Sequence, residues 1–174
     1  LGGAGFSQTS QNIYNQAIAA GVIVIAAAGN ENSSQLSYPA SYDGVISVSA
    51  TDFNNNLAPY SNFGSAIDIA APGGDGSKDD NNDGHADGVL SSLVDDSTNV
   101  RKPAYVFYQG TSMAAPHVAG VIALMSSVHP ELTPEDVDVL LVAGSLTNDI
   151  GASGRDNSFG YGLIDALKAV NEAQ

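Results

Sequence analysis

The sequence predicts an α/β fold in which a mostly parallel sheet is flanked by helices and packed against a buried central one. Three observations carry that expectation. Helix-spaced apolar residues run directly into a continuous β-branched stretch; further short strand-like runs follow, separated by glycine-rich breaks; and one long segment is apolar on almost every side.

Behind Ser10 as a cap, Ile13, Ala17, Ile18 and Ala20 recur at helical spacing, and Gly21 ends the segment, which predicts a helix over 10–20. Val22 to Ala27 is too short for a helix and reads as a strand covered on both faces. Val45 to Ala50 and Ile67 to Ala70 add two strands, the second stopped by Pro72-Gly73-Gly74. Gly73 to Gly88 is a loop rich in Gly, Asp, Asn and Ser, after which Val89–Val94 and Tyr105–Tyr108 predict a hairpin. From Thr111 to His129 scarcely any polar face remains, so that helix is expected to be central and buried. Pro134–Ala143, opened by Thr133 with Glu135 and Asp136 in its first turn, and Gly162–Ala173 read as surface helices. There is no internal repeat and no second domain, so residues 1–174 form part or all of one domain.

Composition excludes several functions. With 19 acidic against 5 basic residues, the net charge of −14 repels phosphate backbones and anionic lipid surfaces, so neither nucleic acid nor a membrane surface is an expected partner. The charge is either a solvated surface or in part a cation-binding one. Absence of cysteine rules out disulfides and thiolate chemistry. The run from Gly21 to Gly29 is short of a membrane span, and none is expected. The opening Leu1-Gly2-Gly3 carries no initiator methionine or leader, which suggests a chain cut from something longer.

Three places carry chemistry. Ser112, in Gly110-Thr111-Ser112-Met113-Ala114-Ala115-Pro116-His117, stands where a strand meets a helix N-terminus; there a serine is either a cap or a nucleophile whose own N–H helps hold an oxyanion. Asn30 follows the first strand, either as a turn residue or as an amide donor beyond the strand's carboxyl end. In the acidic loop Asp79, Asn81, Asp83 and Asp87 occupy relative positions 1, 3, 5 and 9, with Gly84 at position 6. That spacing matches the front of a calcium loop, although Leu90 stands where an EF-hand glutamate belongs. Gly73–Lys78 and Gly3–Gly5 fail as phosphate loops, and no organic cofactor is expected.

The segment Gly110 to Gly120 resembles the nucleophile signature of the subtilisin-like serine proteases. Val22–Asn30, Tyr38-Pro39-Ala40, Ala58–Gly64, Ile69–Gly73 and Gly160–Ala166 are similar to further segments of that family, leaving only the acidic insert outside the likeness. The resemblance implies the C-terminal part of a subtilisin-like fold, with Ser112 as nucleophile and Asn30 as oxyanion donor. It implies that Leu1, Gly2 and Gly3 pair with a peptide or protein substrate, and that Ala27, Ala28 and Gly29 wall the specificity pocket. It also gives Asp68, with the carbonyls near Ala40 and Tyr42, as a second cation candidate. The family's catalytic Asp and His precede the segment corresponding to Leu1, and none of His85, His117 and His129 is expected to replace them. The expected function of the parent is a secreted serine endopeptidase working through an acyl-enzyme. The chain alone is expected to be inactive, and to pair with the missing N-terminal half or with itself. The alternative is a non-catalytic fragment or pseudoenzyme that keeps the peptide groove.

Overall fold

The computed structural model describes residues 2–174. In chain order its elements are α1 (Gln8–Ala19), β1 (Val24–Ala27), β2 (Val45–Thr51), β3 (Ile69–Pro72), β4 (Val89–Asp95), β5 (Lys102–Tyr108), α2 (Thr111–Val128), α3 (Pro134–Val142), β6 (Thr147–Asn148), β7 (Leu163–Ile164) and α4 (Ala166–Glu172). One sheet has the order β1-β2-β3-β7-β6, parallel except for the β6–β7 pair; β4 and β5 form a separate antiparallel hairpin.

β1 alternates between two clusters. Ile23 and Ile25 pack into the main core, while Val24 faces a smaller cluster built on Ala26, Ala40, Tyr42 and Val45 with Tyr14 and Tyr38. Both faces are thus covered as expected. Of the strand's four residues only Ala26 is fully buried, because β1 forms one edge of the sheet.

Helix α1 begins earlier than its apolar spacing suggests. Ser7, not Ser10, is the cap: its hydroxyl accepts from Ser10 N–H at 3.3 Å and its carbonyl from Gln11 N–H at 2.9 Å. The polar first turn, Gln8 and Thr9, gives no apolar signal of this start. Capping by Thr133 is as expected and is reciprocal, since Asp136 accepts back from the Thr133 N–H.

Helix α2 lies across β1, β2 and β3 and also meets α4. Its buried side is Thr111, Ala114, Val118, Val121, Ile122 and Met125. The expectation of burial all round is corrected here: Leu124 is 53% and Val128 43% exposed, because no described element covers that side. Among the described residues α2 is the one helix long and apolar enough, by length and composition, to cross a membrane, and its inner face is the core of this domain. The short β6 strand has no sequence signal, since two residues carry no periodicity, and the helix expected from Gly162 is corrected: Leu163–Ile164 pair into the sheet as β7, and α4 starts only at Ala166, capped by Asp165.

Candidate active site

The parallel strands β1, β2 and β3 end at the same edge of the sheet, where ligands of open α/β sheets bind. Asn30 follows β1 there, and the N-terminus of α2 brings Ser112 to the same place. The two residues line one cleft of about 320 Å³, together with Gly2, Gly3, Ala27, Gly29 and Thr111.

Thr111, fully buried, orients Asn30. Its backbone N–H and its hydroxyl both donate to Asn30 Oδ1 at 2.9 Å, and the same hydroxyl accepts from Gly29 N–H at 3.2 Å. A backbone N–H only donates, so the amide's oxygen must face Thr111 and its Nδ2 is the end left to act on something else. Gly110 brings the chain close enough that an added Cβ would lie 3.4 Å from that Nδ2. Ser112 itself is exposed at the first turn of α2, where backbone N–H groups lack helical partners. The site therefore offers a hydroxyl with a fixed side-chain N–H and a helix-terminal N–H near it, the groups needed to attack a carbonyl and hold the resulting oxyanion.

The cleft wall is held by Asn62, a residue to which its sequence surroundings assign no role. Buried at 4% exposure, it accepts from Glu31 and Ser33 N–H through Oδ1 and donates from Nδ2 to the Ala28 carbonyl at 3.0 Å and to Glu31 at 2.8 Å. Gly29 has φ +112, and a Cβ there would come within 2.3 Å of Asn62 Nδ2. Tyr60 was missed likewise. Its hydroxyl donates to Gly74 O at 2.7 Å and accepts from Gly110 N–H at 2.9 Å, tying the base of the acidic insert to the residue two before Ser112. Burial pushes its pKa up to about 12, with Asp75 and Asp52 adding to the rise, so it stays a neutral hydroxyl. Thr111, Asn62 and Tyr60 all lie within the family-like segments, each with a serine on one side and an apolar residue or glycine on the other.

Several expected residues fall elsewhere. Leu1 lies outside the described residues. Gly3 is not free to pair with a peptide, because its N–H and carbonyl both bond to Tyr38 at 2.9 Å. Ala28 is buried beneath the cleft and does not line it; its carbonyl is engaged by Asn62. Asp68 accepts from Ser47 N–H at 2.8 Å, and burial raises its pKa. No histidine is directed at Ser112. His117 points Nδ1 at the Met113 carbonyl, 2.8 Å away; His85 stacks on Phe107; and His129 caps the far end of α2, roughly 25 Å along the helix axis at ~1.5 Å per residue.

The acidic insert is corrected in part. Asp79, Asn81, Asp83 and Asp87 do not stand as one ligand shell, and among the described residues no three Asp, Glu or His side chains are gathered into one. Asp79 accepts from the N–H groups of Asp83 and Gly84, Asn81 from Asp83 N–H, and Asp83 from His85 N–H. Local backbone donors take these side chains, as Asp and Asn in tight turns commonly allow. Asn81, Asp83 and Asp87 nevertheless line a common cavity, from which Asp79 is absent.

Nearly the whole chain is similar to known proteins. The model of the subtilase family matches residues 1–162. Alkaline elastase YaB of a Bacillus species is 35% identical over 170 residues, covering 98% of this chain and 38% of that protein. An extracellular protease of Xanthomonas campestris pv. campestris is 40% identical over 174 residues, covering 99% of this chain and 27% of that protein. A solved protease of Pseudoalteromonas arctica superposes with a TM-score of 0.87 at 40% identity, over 100% of this chain and 50% of the other. The chain thus spans half or less of the length of each of these relatives.

Proposed function

Because this chain belongs to the subtilase family, we propose that the whole protein is a serine endopeptidase and that these residues supply its nucleophile and oxyanion hole. The observation that carries the reading is the double anchoring of Asn30 Oδ1 by Thr111, which turns a side-chain N–H toward the cleft that Ser112 shares. Ser112 Oγ attacks the peptide carbonyl and forms a bond to its carbon. The carbonyl oxygen, now an oxyanion, accepts from Asn30 Nδ2 and from the Ser112 N–H. Collapse expels the amine half of the peptide, leaving an acyl-serine that water hydrolyses. The Ser112 proton must pass to a base and on to the leaving amine. The three histidines of this chain are turned elsewhere, so the base belongs to the further residues that a subtilase of the Pseudoalteromonas protease's length has.

Substrate backbone pairs along Gly2, while Ala27 and Gly29 wall the pocket for the side chain before the scissile bond. Secretion is supported by the Xanthomonas relative, which is named an extracellular protease. The open edge of β1 and the exposed apolar side of α2 are the surfaces that the remaining chain, or a second copy, covers.

The test is labelling of the full-length protein by a serine-directed phosphonate, with hydrolysis of a chromogenic peptide amide alongside. Modification at Ser112, with loss of both signals in Ser112→Ala, is expected. Labelling at another residue, or hydrolysis surviving in Ser112→Ala, overturns the assignment.

A further inference from the structure

Among the described residues that line the cleft shared by Ser112 and Asn30, Glu31 is the one that carries a charge. Its carboxylate is held in place. Asn62, buried and with all four of its side-chain hydrogen bonds made, donates from Nδ2 to Glu31 Oε2 at 2.8 Å, while its Oδ1 accepts from the Glu31 N–H at 3.0 Å. Gly29 supplies the room. A Cβ there would lie 2.6 Å from the same Oε2, so the carboxylate rests where a side chain of residue 29 would stand. The wall of the pocket for the side chain before the scissile bond thus carries a carboxylate.

The group that holds this carboxylate is a neutral amide, and no protein cation balances it: among the described residues the ion pairs are those of Lys78 with Asp52 and Asp75. Asn62 engages Oε2 alone, which leaves Oε1 for a ligand. Elsewhere the lining is small or polar, with Ala27, Gly29, Ser33, Gln35 and Ser37; Leu36 is its one large apolar side chain and is 51% exposed. Such a pocket offers little apolar surface to an aromatic ring. A flexible alkyl chain ending in an ammonium or guanidinium suits it better, because the stem lies on Ala27 and Gly29 while the charge meets Glu31. The chain's net charge of −14 adds a long-range attraction for the same substrates.

Resting on the assignment of Ser112 as nucleophile, we infer that Glu31 is a specificity-determining residue and that the protein cleaves preferentially after lysine or arginine. The charge acts in two ways. It binds the substrate's cation before reaction. It also stands one residue beyond Asn30, whose Nδ2 is left for the oxyanion; an unbalanced carboxylate opposes the negative charge developing there, and the substrate's cation offsets it. Lysine is therefore favoured in kcat as well as in KM over an uncharged side chain of similar length.

The experiment compares peptide amides that differ only in the residue before the scissile bond, which is lysine, norleucine or glutamate. They are offered to the full-length protein as wild type, Glu31→Gln and Ser112→Ala, at low and at high salt. Glu31→Gln keeps an oxygen for Asn62 and removes the charge. In wild type kcat/KM for lysine should exceed that for norleucine by about tenfold or more, with glutamate cleaved least. The lysine-to-norleucine ratio should fall by about tenfold in Glu31→Gln and should shrink in wild type as salt screens the pair. Should Glu31→Gln not fold, the wild-type ratio and its salt dependence decide. Hydrolysis that depends on Ser112 but shows no preference for lysine in wild type, or a ratio unchanged in folded Glu31→Gln, overturns the specificity and leaves the nucleophile in place. Hydrolysis that survives in Ser112→Ala, or that is absent with every substrate, overturns the nucleophile and the specificity with it.

Discussion

Thr111 donates twice into the same oxygen of Asn30, once from its backbone and once from its hydroxyl, each at 2.9 Å. The hydroxyl also accepts from Gly29 N–H, so one buried side chain joins the end of β1 to the start of α2. A long-range link of this kind fixes which end of the Asn30 amide faces the cleft. The residue next to the candidate nucleophile is thus a positioning residue.

Replacing Thr111 by Val removes the hydroxyl but keeps the backbone donor. In the full-length protein kcat on a peptide amide should fall by roughly tenfold with KM little changed, and Thr111→Ser should restore most of it. Asn30→Leu should cost more, roughly the 10²–10³ in kcat that removal of an oxyanion-hole donor costs. Equal activity in Thr111→Val and wild type would show that the amide needs no such anchor.

Gly29→Ala is expected to lower stability by about 1–3 kcal/mol, the usual cost of an unfavourable backbone region, before any clash is counted. The backbone there has φ +112, and the new methyl would sit 2.3 Å from Asn62 Nδ2. Displacing Asn62 also frees the N–H groups of Glu31 and Ser33, so the cleft wall should loosen with it. Thermal denaturation of the variant, paired with KM for a peptide substrate, reads both effects.

Tyr60 gives a pH signature. Its pKa lies at about 12, above the ordinary 10.0, so the folded protein holds a proton that the unfolded chain gives up across that interval. The stability it contributes is full below the unfolded value and is lost as pH rises through the folded one. Tyr60→Phe should lack this alkaline component. At neutral pH it should also be destabilised by about 1–3 kcal/mol, because the Gly74 carbonyl loses its donor. Denaturant midpoints of both proteins between neutral and strongly alkaline pH test this, and parallel curves would reject it.

The exposed side of α2 and the free edge of β1 should make the isolated chain of 174 residues self-associate. Leu124→Lys with Val128→Lys should shift it toward monomer in light scattering without loss of helical signal. A wild-type chain that is already a monodisperse monomer would show that these surfaces are tolerated in water.

Much of this protein was determined by sequence alone. Local periodicity and turn chemistry are read within a few residues, and they located every strand of the parallel sheet except the two-residue β6 and β7, with the hairpin, α2 and α3 close to their observed bounds. Ser112 and Asn30 are singled out by the family-like segments that contain them; their local positions alone leave one open as a helix cap and the other as a turn residue. Only the tertiary structure decided the rest. That Asn62 and Tyr60 hold the site, that Gly3 pairs with Tyr38, and that Asn81, Asp83 and Asp87 line a cavity from which Asp79 is absent all depend on contacts between residues far apart in the chain, or on which neighbour wins a hydrogen bond. A buried polar group takes whichever partner the packed fold brings within about 3 Å, and no spacing along the sequence records that choice.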